Sequence, residues 1–408
     1  MIQLLFRGFA THLDTKRINA VRHKNTVFHD LLKLIPWTTF DRLVDEHGSD
    51  ALARTFKSRD QLIALLYGQL AGAQSLREII AGLSSHQARL YHIGVKVPPR
   101  STFADANKDR SYEVFSGLFA TMLGMAAKGF QHKIGDAVRL IDSTGLRLAG
   151  VGTEWARFST DVCGAKAHII YDPDLGCPVY HAVTSAKVND ITVAKAMPIE
   201  AGATYVFDLG YYDFAWWAKL DAQGCRIVTR FKANTPFVEA QNNPLNRLIQ
   251  SSGTVLSDRI GFLPRRQAMN RKNPMGHAVR EIRVQIETGK HLRILTNDLD
   301  APAQEIADLY KRRWQIELFF RFVKQTLKIR HFIGRSENAV RIQIAVALIA
   351  FLLVRLSQQM SQVKHGDLLT FRLIRSNLMH RKDFTKLNQI QHPPPLDPRQ
   401  LALDLLPI

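Results

Sequence analysis

Apolar residues recur at helical spacing through the first quarter of the chain. The leucines between Leu62 and Leu70 lie three or four positions apart, which places them on one face of a helix. Ser58 stands at the start of that helix and Ser75 at the start of the next, where a serine hydroxyl caps the first turn. The pattern therefore predicts an all-helical region over residues 25–130.

A proline turn interrupts this helical region. Pro98 and Pro99 break the periodicity, and a short helix over residues 103–109 follows, flanked by Arg100 and Arg110. A short basic helix after a turn is typical of a helix that reads DNA, and a plain helical bundle with a solvated basic face explains the same pattern equally well. Both interpretations stay open.

Short β-rich runs replace the helices from about residue 131. Runs at 138–146, 165–171 and 179–183 come first, and compact runs at 204–207 and 226–231 follow with helical segments between them. Strands followed by alternating helices and strands predict a layered α/β (α+β) region.

Only strand patterns occur between residues 233 and 300. Apolar Ile282 and Val284 alternate with polar Arg283 and Gln285, and a turn around Gly289 leads into a further strand. This stretch is predicted to be a β-rich insertion, after which helices resume near residue 301.

The chain is strongly basic. Its 408 residues contain 55 Lys and Arg against 36 Asp and Glu, which gives a net charge of +19. An excess of that size indicates a polyanionic partner, most often nucleic acid. Three cysteines are too few for a disulfide framework and fit a reducing cytoplasm.

No membrane partner is predicted. The most apolar run covers residues 344–354, whereas a membrane span needs about twenty residues, so this run is interpreted as a buried core helix. Residues 1–24 lack the apolar stretch of a secretory signal and are interpreted as a basic arm.

Two aspartates follow apolar runs in the α/β region. Asp142 comes after residues 138–141, and Asp208 comes after residues 205–207. Ligand sites gather at the carboxyl ends of such strands, so two neighbouring strands that each end in Asp would bring two oxygen ligands within a few ångströms. Each aspartate alone is also explained as a strand end or a helix cap.

A third acid, Glu317, lies in a stretch predicted to be one buried helix. Tyr310, Arg313, Glu317 and Lys324 fall within a stripe of about 60° on that helix, while apolar residues cover its other sides. A narrow polar stripe on a buried helix indicates a site. The plain alternative is an Arg313–Glu317 ion pair worth about 0.3–0.5 kcal/mol.

The spacing of these four residues resembles the Y-R-E-K signature of the bacterial insertion-sequence DDE transposases, in the insertion-sequence-four family. The surroundings of the two aspartates are similar as well, with Asp142-Ser143-Thr144 and Asp208-Leu209-Gly210. The resemblance covers residues 142–360. It implies an RNase H-like catalytic core interrupted by a β-strand insertion and preceded by a helical DNA-binding domain.

The resemblance also implies an activity. Such an enzyme binds the terminal inverted repeats of an insertion sequence, cleaves the DNA ends and joins the 3′ hydroxyls to target DNA. Asp142, Asp208 and Glu317 would be the catalytic residues and the ligands of two Mg²⁺ ions, with Mn²⁺ as a substitute. The partners would be double-stranded DNA, both the terminal inverted repeats and the target, and a second copy of the chain in a synaptic complex. The protein would act in the bacterial cytoplasm, at the nucleoid.

Six residues are predicted to bind DNA. Phosphate contacts are expected from side chains that donate hydrogen bonds or carry positive charge, and an aromatic ring beside them can stack on a base. They are Tyr310, Arg313, Lys324, Trp314, Arg230 and Lys232. Some relatives use a Trp inside the insertion to stabilise a flipped base, and no Trp occurs here between Trp217 and Trp314.

Three alternatives remain at this point. Cys163, His168, Cys177 and His181 can be written as a zinc set, although their intervals are not those of a zinc finger. An RNase H-fold nuclease that cuts without joining, and a DNA-binding regulator without catalysis, would each share the basic charge. The predicted organisation is an arm (1–24), a helical DNA-binding domain (25–130), a first core part (131–232), an insertion (233–300), a helical second core part (301–360) and a tail (361–408).

Overall fold

The structure is a computed structural model of the whole chain. It describes residues 25–127, 137–148, 153–157, 163–245, 254–266, 272–286, 288–327, 329, 332–360, 366–383 and 387. The predicted basic arm, the start of the β-rich region at residue 131 and most of the predicted tail lie outside the described residues.

Short amphipathic helices make up the N-terminal region. Thr26 accepts a hydrogen bond from the His29 N–H and Ser75 accepts one from the Glu78 N–H, so both hydroxyls cap a helix. The predicted cap at Ser58 is wrong: Lys57 is the N-cap residue, and Ser58 is the first residue of its helix. The helices are α1 (Val27–Leu32), α2 (Trp37–Glu46), α3 (Ser58–Ala71), α4 (Leu76–Ser85), α5 (Gln87–Leu90), α6 (Arg100–Asp109) and α7 (Glu113–Ala127).

The helix after the proline turn starts earlier than predicted, and one of its basic neighbours is buried. Helix α6 begins at Arg100 instead of residue 103. Arg110, at its end, is 9% exposed, donates a hydrogen bond to Gln61 Oε1 at 3.0 Å and lies 3.6 Å from Asp50. Arg110 therefore stabilises the helical bundle, and the interpretation in which it faces DNA is wrong.

A single nine-stranded sheet runs through the rest of the molecule, in the order β3-β2-β1-β4-β5-β9-β8-β7-β6. Strands β1, β4 and β5 are mutually parallel, and the remaining pairs are antiparallel. The strands are β1 (Val138–Leu148), β2 (Cys163–Asp172), β3 (Cys177–Ser185), β4 (Thr204–Phe207), β5 (Arg226–Arg230), β6 (Val238–Asn242), β7 (Thr254–Phe262), β8 (Val279–Gln285) and β9 (His291–Thr296). The predicted mixed α/β class is confirmed.

The strand-only stretch extends this sheet. Strand β9 pairs with β5, and β8, β7 and β6 follow outward. The predicted β8–β9 hairpin is present, with Gly289 at φ +77° in its turn and a hydrogen bond from the Ile286 N–H to the Lys290 carbonyl.

Helices cover both faces of the sheet, and side chains alternate between the two cores. Leu140 and Val206 point to the face covered by α10 (Ala303–Arg312), α11 (Trp314–Gln325) and α12 (Glu337–Met360). Ile141 and Phe207 point to the opposite face, covered by α8 (Asp190–Ala196) and α9 (Phe214–Asp221). We call these the front face and the back face.

Helix α12 is the centre of the front core. It packs against α3, α6, α7 and strand β3. Among the described residues it is the one helix whose length and composition would suffice to cross a membrane, and 83% of its most apolar window is buried in the protein. The predicted core helix at residues 344–354 is part of this longer helix.

The part of the chain predicted to be a tail contains a packed helix. Helix α13 (Asp367–Asn377) buries Phe371 and Ile374 and contacts α12. Arg375 donates hydrogen bonds to the carbonyls of Leu70 and Thr326, both at 3.0 Å. The proline run at residues 393–395 lies outside the described residues.

Candidate active site

The two aspartates lie at the same level on neighbouring strands. Strands β1 and β4 pair in parallel from Val138↔Thr204 to Leu140↔Val206, and this register, continued, sets Asp142 beside Asp208. Asp142 lies two positions after Leu140, and Asp208 lies two positions after Val206; both apolar residues belong to the front core. Side chains two positions apart on a strand point to the same face, so both aspartates point to the front face. Asp208 follows β4 as predicted, but Asp142 does not end a strand, because β1 continues to Leu148 alongside β2.

Helix α11 brings the third acid to the same face. It contacts β1 and buries Ile316, Phe319, Phe320 and Val323. Glu317 lies at the edge of this buried surface with 31% of its side chain exposed. All three acids are thus on the front face.

The single helix predicted for residues 310–324 is two helices. Arg313 separates α10 from α11, and its amide donates to the carbonyl of Tyr310, three residues earlier. The helix was also predicted to be buried on all sides except its polar stripe, but Leu318 is 44% exposed. Helix α11 therefore has an open face.

Arg313 lies between the first and third acids. Its Nη1 is 3.5 Å from Asp142 Oδ2, and its Nη2 donates to Glu317 Oε1. Only 17% of the Arg313 side chain is exposed. The Arg313–Glu317 ion pair is therefore present. The same guanidinium also contacts Asp142, so it bridges two acids.

The negative charges of both other acids reach Asp142. Burial raises the pKa of the Asp142 carboxyl to about 6, and the negative charges of Asp208 and Glu317 raise it further, against the effects of the Ser143 N–H and Arg313. Such a carboxyl gains from any added positive charge.

The Asp208 carboxylate is held by a backbone amide two residues later in the chain. Its Oδ1 accepts a hydrogen bond from the Gly210 N–H at 2.8 Å. A Cβ placed on Gly210 would lie 3.1 Å from Asp208 Oδ1 and 3.4 Å from Asp190 Oδ2, so the glycine keeps open a space between two carboxylates. Across the described ranges, no three acidic, His or Cys side chains stand close enough to share one ion.

The predicted DNA-binding residues fall into a buried and an exposed group. Tyr310 is 7% exposed beneath the Arg313 guanidinium, and burial raises the pKa of its hydroxyl while the charges of Arg313 and Arg230 lower it. Trp314 is 51% exposed, and Lys324 is partly exposed on α11.

Two predicted phosphate contacts lie beyond strand β5. Arg230 is the exposed last residue of that strand, near enough to Tyr310 to affect its pKa. The Lys232 ammonium lies 4.4 Å from the centre of the Tyr212 ring. Both therefore lie on the side of the site that borders β5.

The alternative zinc site is ruled out by the strand register. Cys163 begins β2, whereas Cys177 pairs with Asp172 at the other end of that strand. Nine residues of strand separate the two positions, which is roughly 30 Å. Burial lowers the pKa of both His168 and His181 to about 4, and the His181 ring packs against Phe119.

One residue near the site was not singled out by the sequence. Asp190 begins α8 and accepts a hydrogen bond from the Ser143 hydroxyl at 2.9 Å. In sequence it is an ordinary acidic residue in a first helical turn, and its approach to Asp142 depends on the pairing of distant strands. No local pattern would have identified it.

Comparisons with known proteins give the family of this chain. The chain matches the profile described as "Transposase DDE domain" over residues 133–353, and the profile of a domain of unknown function (DUF4372) over residues 23–96. It is 35% identical over 301 residues to the putative transposase y4zB of Sinorhizobium fredii, and this alignment covers 74% of the present chain and 82% of that protein. It is 28% identical over 310 residues to the probable transposase for insertion sequence element IS5377 of Geobacillus stearothermophilus, with coverages of 72% and 80%.

Among solved structures, the cryo-EM structure of the piggyBac transposase synaptic complex with hairpin DNA overlaps this chain with a TM-score of 0.42 and 11% identity. The overlap covers 93% of this chain and 83% of that one. A TM-score that low does not establish a common fold.

A basic α/β protein with three acids on one face of its central parallel strands has the features expected of metal-dependent enzymes that act on nucleic-acid phosphates. The chain belongs to the transposase DDE domain family. It is therefore a metal-dependent enzyme that cuts and joins DNA in the manner of insertion-sequence transposases, and the family implies an RNase H-like core. Assignment to the Y-R-E-K group stays a prediction.

Proposed function

We propose that this transposase binds the terminal inverted repeats of its insertion sequence, cleaves the DNA ends and joins the 3′ hydroxyls to target DNA. Asp142, Asp208 and Glu317 are the catalytic residues in this proposal. The observation that carries it is the register that sets Asp142 beside Asp208 on the face covered by Glu317.

The three acids suit divalent ions. Carboxylate oxygens are the ligands that Mg²⁺ and Mn²⁺ take. Burial and the negative charges of Asp208 and Glu317 raise the pKa of Asp142, so a cation among these acids would be stabilised. We assign two Mg²⁺ ions to these acids, with Mn²⁺ as a substitute. When bound, such ions neutralise charge on the phosphate and align the attacking and leaving oxygens.

Arg313 has two roles in this proposal. In the structure its guanidinium offsets the repulsion between Asp142 and Glu317. When the acids bind cations, the guanidinium no longer has to do so, and its planar donors then suit a DNA phosphate bidentately. This exchange links metal binding to DNA binding at one side chain.

The neighbouring donors surround the same place. Tyr310 Oη and Arg313 Nε are buried and have no hydrogen-bond partner of good geometry among the described residues, which leaves both available to a phosphate. Lys324 adds positive charge on α11. The exposed Trp314 ring is placed to stack on a base of the DNA end.

Two further phosphate contacts are assigned near β5. Arg230 and Lys232 follow the same strand end, and they would hold the DNA backbone on that side of the acids. We further assign the helices of residues 25–130 to DNA binding and residues 233–300 to an insertion within the core. Two copies would act together on paired ends at the nucleoid.

The proposal is tested on a plasmid that carries the DNA flanking the reading frame, with purified protein and Mg²⁺. Glu317→Gln and Asp208→Asn should each reduce end cleavage about 1,000-fold or more, because several kcal/mol of transition-state stabilisation are lost. End binding, measured by gel shift, should survive both changes.

The matched control is Glu337→Gln on α12. Glu337 also pairs with an arginine four residues away, Arg341, but it lies outside the site and is 46% exposed. The Glu337→Gln variant should cleave DNA ends like the wild type. Full cleavage by Glu317→Gln would refute the assignment, and cleavage without joining in the wild type would instead indicate a nuclease.

A further inference from the structure

Three side chains on the back face of the sheet converge on Asp190. Ser143 is opposite His168 in the β1–β2 pairing, and Lys166 is two positions from His168, so all three point to the back face. Asp190 comes from α8, which covers that face. Asp190 therefore connects α8 to strands β1 and β2, on the side of the sheet opposite Asp142.

The contacts of Asp190 are specific. Its Oδ1 accepts from the Ser143 hydroxyl at 2.9 Å and from Lys166 Nζ at 3.1 Å. Lys166 also donates to the Val188 carbonyl at 3.1 Å, which ties the approach to α8 to strand β2. The Asp190 side chain is 23% exposed, so these bonds are sheltered from most of the solvent.

Both catalytic aspartates are connected to this group. The Ser143 N–H donates to Asp142 Oδ1 at 2.7 Å, so one residue binds Asp142 through its amide and Asp190 through its hydroxyl. On the other side, Asp190 Oδ2 borders the space at Gly210, whose N–H holds Asp208. Asp142, Asp190 and Asp208 all act on the pKa of the buried Tyr211 hydroxyl, which burial raises well above its usual value.

We propose that Asp190 is a positioning residue of the active site. With Lys166 it holds Ser143, and through Ser143 it fixes the orientation of the Asp142 carboxylate relative to Asp208. This inference rests on the proposed role of Asp142 and Asp208 as metal ligands. Partners that orient metal ligands in this way typically change metal affinity by about 10–100-fold.

An exposed Lys–Asp ion pair alone would not require this arrangement. Such a pair contributes about 0.2–1 kcal/mol to stability, and it needs neither the serine nor a position at the back of the site. The two explanations differ in what they predict. A stabilising ion pair affects the unfolding temperature, whereas a positioning residue affects metal affinity.

The test measures Mn²⁺ binding by isothermal titration to the full-length protein without DNA. Asp190→Asn and Ser143→Ala should each weaken Mn²⁺ binding about tenfold. The Mn²⁺ concentration for half-maximal end cleavage should rise by the same factor, while cleavage at saturating Mn²⁺ falls only a few-fold. The thermal midpoint in EDTA should change by no more than about 2 °C.

Two variants make the result specific. Ser143→Thr keeps the hydroxyl in a strand that accepts β-branched residues, so it should bind Mn²⁺ like the wild type. Asp221→Asn removes an acid of similar exposure, 27%, from the end of α9, and it too should leave Mn²⁺ binding unchanged.

The inference is overturned if Asp190→Asn binds Mn²⁺ like the wild type, or if it lowers the thermal midpoint in EDTA with the affinity intact. It is also overturned if Asp221→Asn has the same effect on binding. Asp142→Asn separates this failure from that of the proposed function. If Asp142→Asn and Asp208→Asn keep full Mn²⁺ affinity, the metal ligands themselves are wrong; if they lose it while Asp190→Asn does not, only the role of Asp190 fails.

Discussion

Two carboxylates on central strands of the same sheet have opposite surroundings. Glu281 on β8 is fully buried and accepts hydrogen bonds from Arg259, Arg283 and Arg293 at 2.8–3.0 Å. Asp142 on β1 has one arginine at 3.5 Å and two acids nearby. The first acid has an excess of positive charge around it, and the second has an excess of negative charge.

The pKa values reflect this difference. Burial raises the pKa of both acids, but the hydrogen bonds and charges of the three arginines lower that of Glu281 to about 2. Asp142 has only the Ser143 N–H and the more distant Arg313 to oppose its burial, and its pKa rises to about 6. Burial alone therefore does not identify a functional acid. The balance of neighbouring charges does, because only the under-compensated cluster gains from binding a cation.

The largest effect on stability is expected from Glu281→Gln. The glutamine keeps the shape but not the charge, which leaves Arg283 and Arg293 without this anion and Arg259 with only the exposed Glu239. Breaking a buried ion network in this way costs about 3–5 kcal/mol, to be measured by urea unfolding at pH 7. Glu305→Gln, which removes a 48% exposed partner of Arg226, serves as the control and should cost less than 1 kcal/mol. A loss below 1 kcal/mol for Glu281→Gln would remove the basis of the comparison.

Asp142→Asn should change the stability in the opposite direction, as a gain instead of a loss. Because its folded pKa is raised, the stability linked to the protonated acid is complete below the unfolded value of 3.8 and is lost as the pH rises through 6. Asparagine avoids that loss. In EDTA at pH 8 the variant should therefore be more stable than the wild type, by on the order of 2–3 kcal/mol, and the gain should vanish near pH 3.5. A variant that is less stable at pH 8 would contradict the electrostatics described for the site.

Arg313→Gln tests the one positive charge that Asp142 and Glu317 share. With this charge removed, Mn²⁺ should bind about tenfold more tightly to the protein without DNA at pH 8, which is about 1.4 kcal/mol. End cleavage should nevertheless fall, since the phosphate contact proposed for Arg313 is lost. Isothermal titration and the plasmid assay measure the two effects separately. Equal or weaker Mn²⁺ binding would show that Arg313 does not compete with cations.

Local patterns predicted the strands between residues 233 and 300 well and the placement of the three acids only in part. The alternation at Ile282 and Val284 predicts β8 because one side of that strand is buried. The continuous apolar run before Asp208 likewise predicts a central strand, and β4 is buried throughout. The break at Arg313 has no proline or glycine to announce it, so the two helices were predicted as one.

Features that depend on distant pairing were not predictable from local patterns. Asp142 lies within a strand because β2 continues beside it past the end of β4, which no residue near Asp142 encodes. The same is true of Asp190, whose partners come from two other strands. Helix α13 lies in the stretch predicted to be a tail. Of its five apolar residues only Phe371 and Ile374 are buried, and the local pattern does not show what covers them.

The smallest effect is expected from Glu239→Gln, at the rim of the arginine cluster. Glu239 accepts from Arg259 at 3.0 Å but is 40% exposed, and Arg259 keeps its bond to Glu281 without it. The change should cost less than about 0.5 kcal/mol in urea unfolding. Adding it to Glu281→Gln should cost more than it does alone, because Arg259 then loses its last carboxylate and changes within one ion-pair network are not additive. A cost for Glu239→Gln comparable to that of Glu281→Gln would mean that the guanidiniums need both acids, and that the cluster is less fully compensated than its contrast with Asp142 requires.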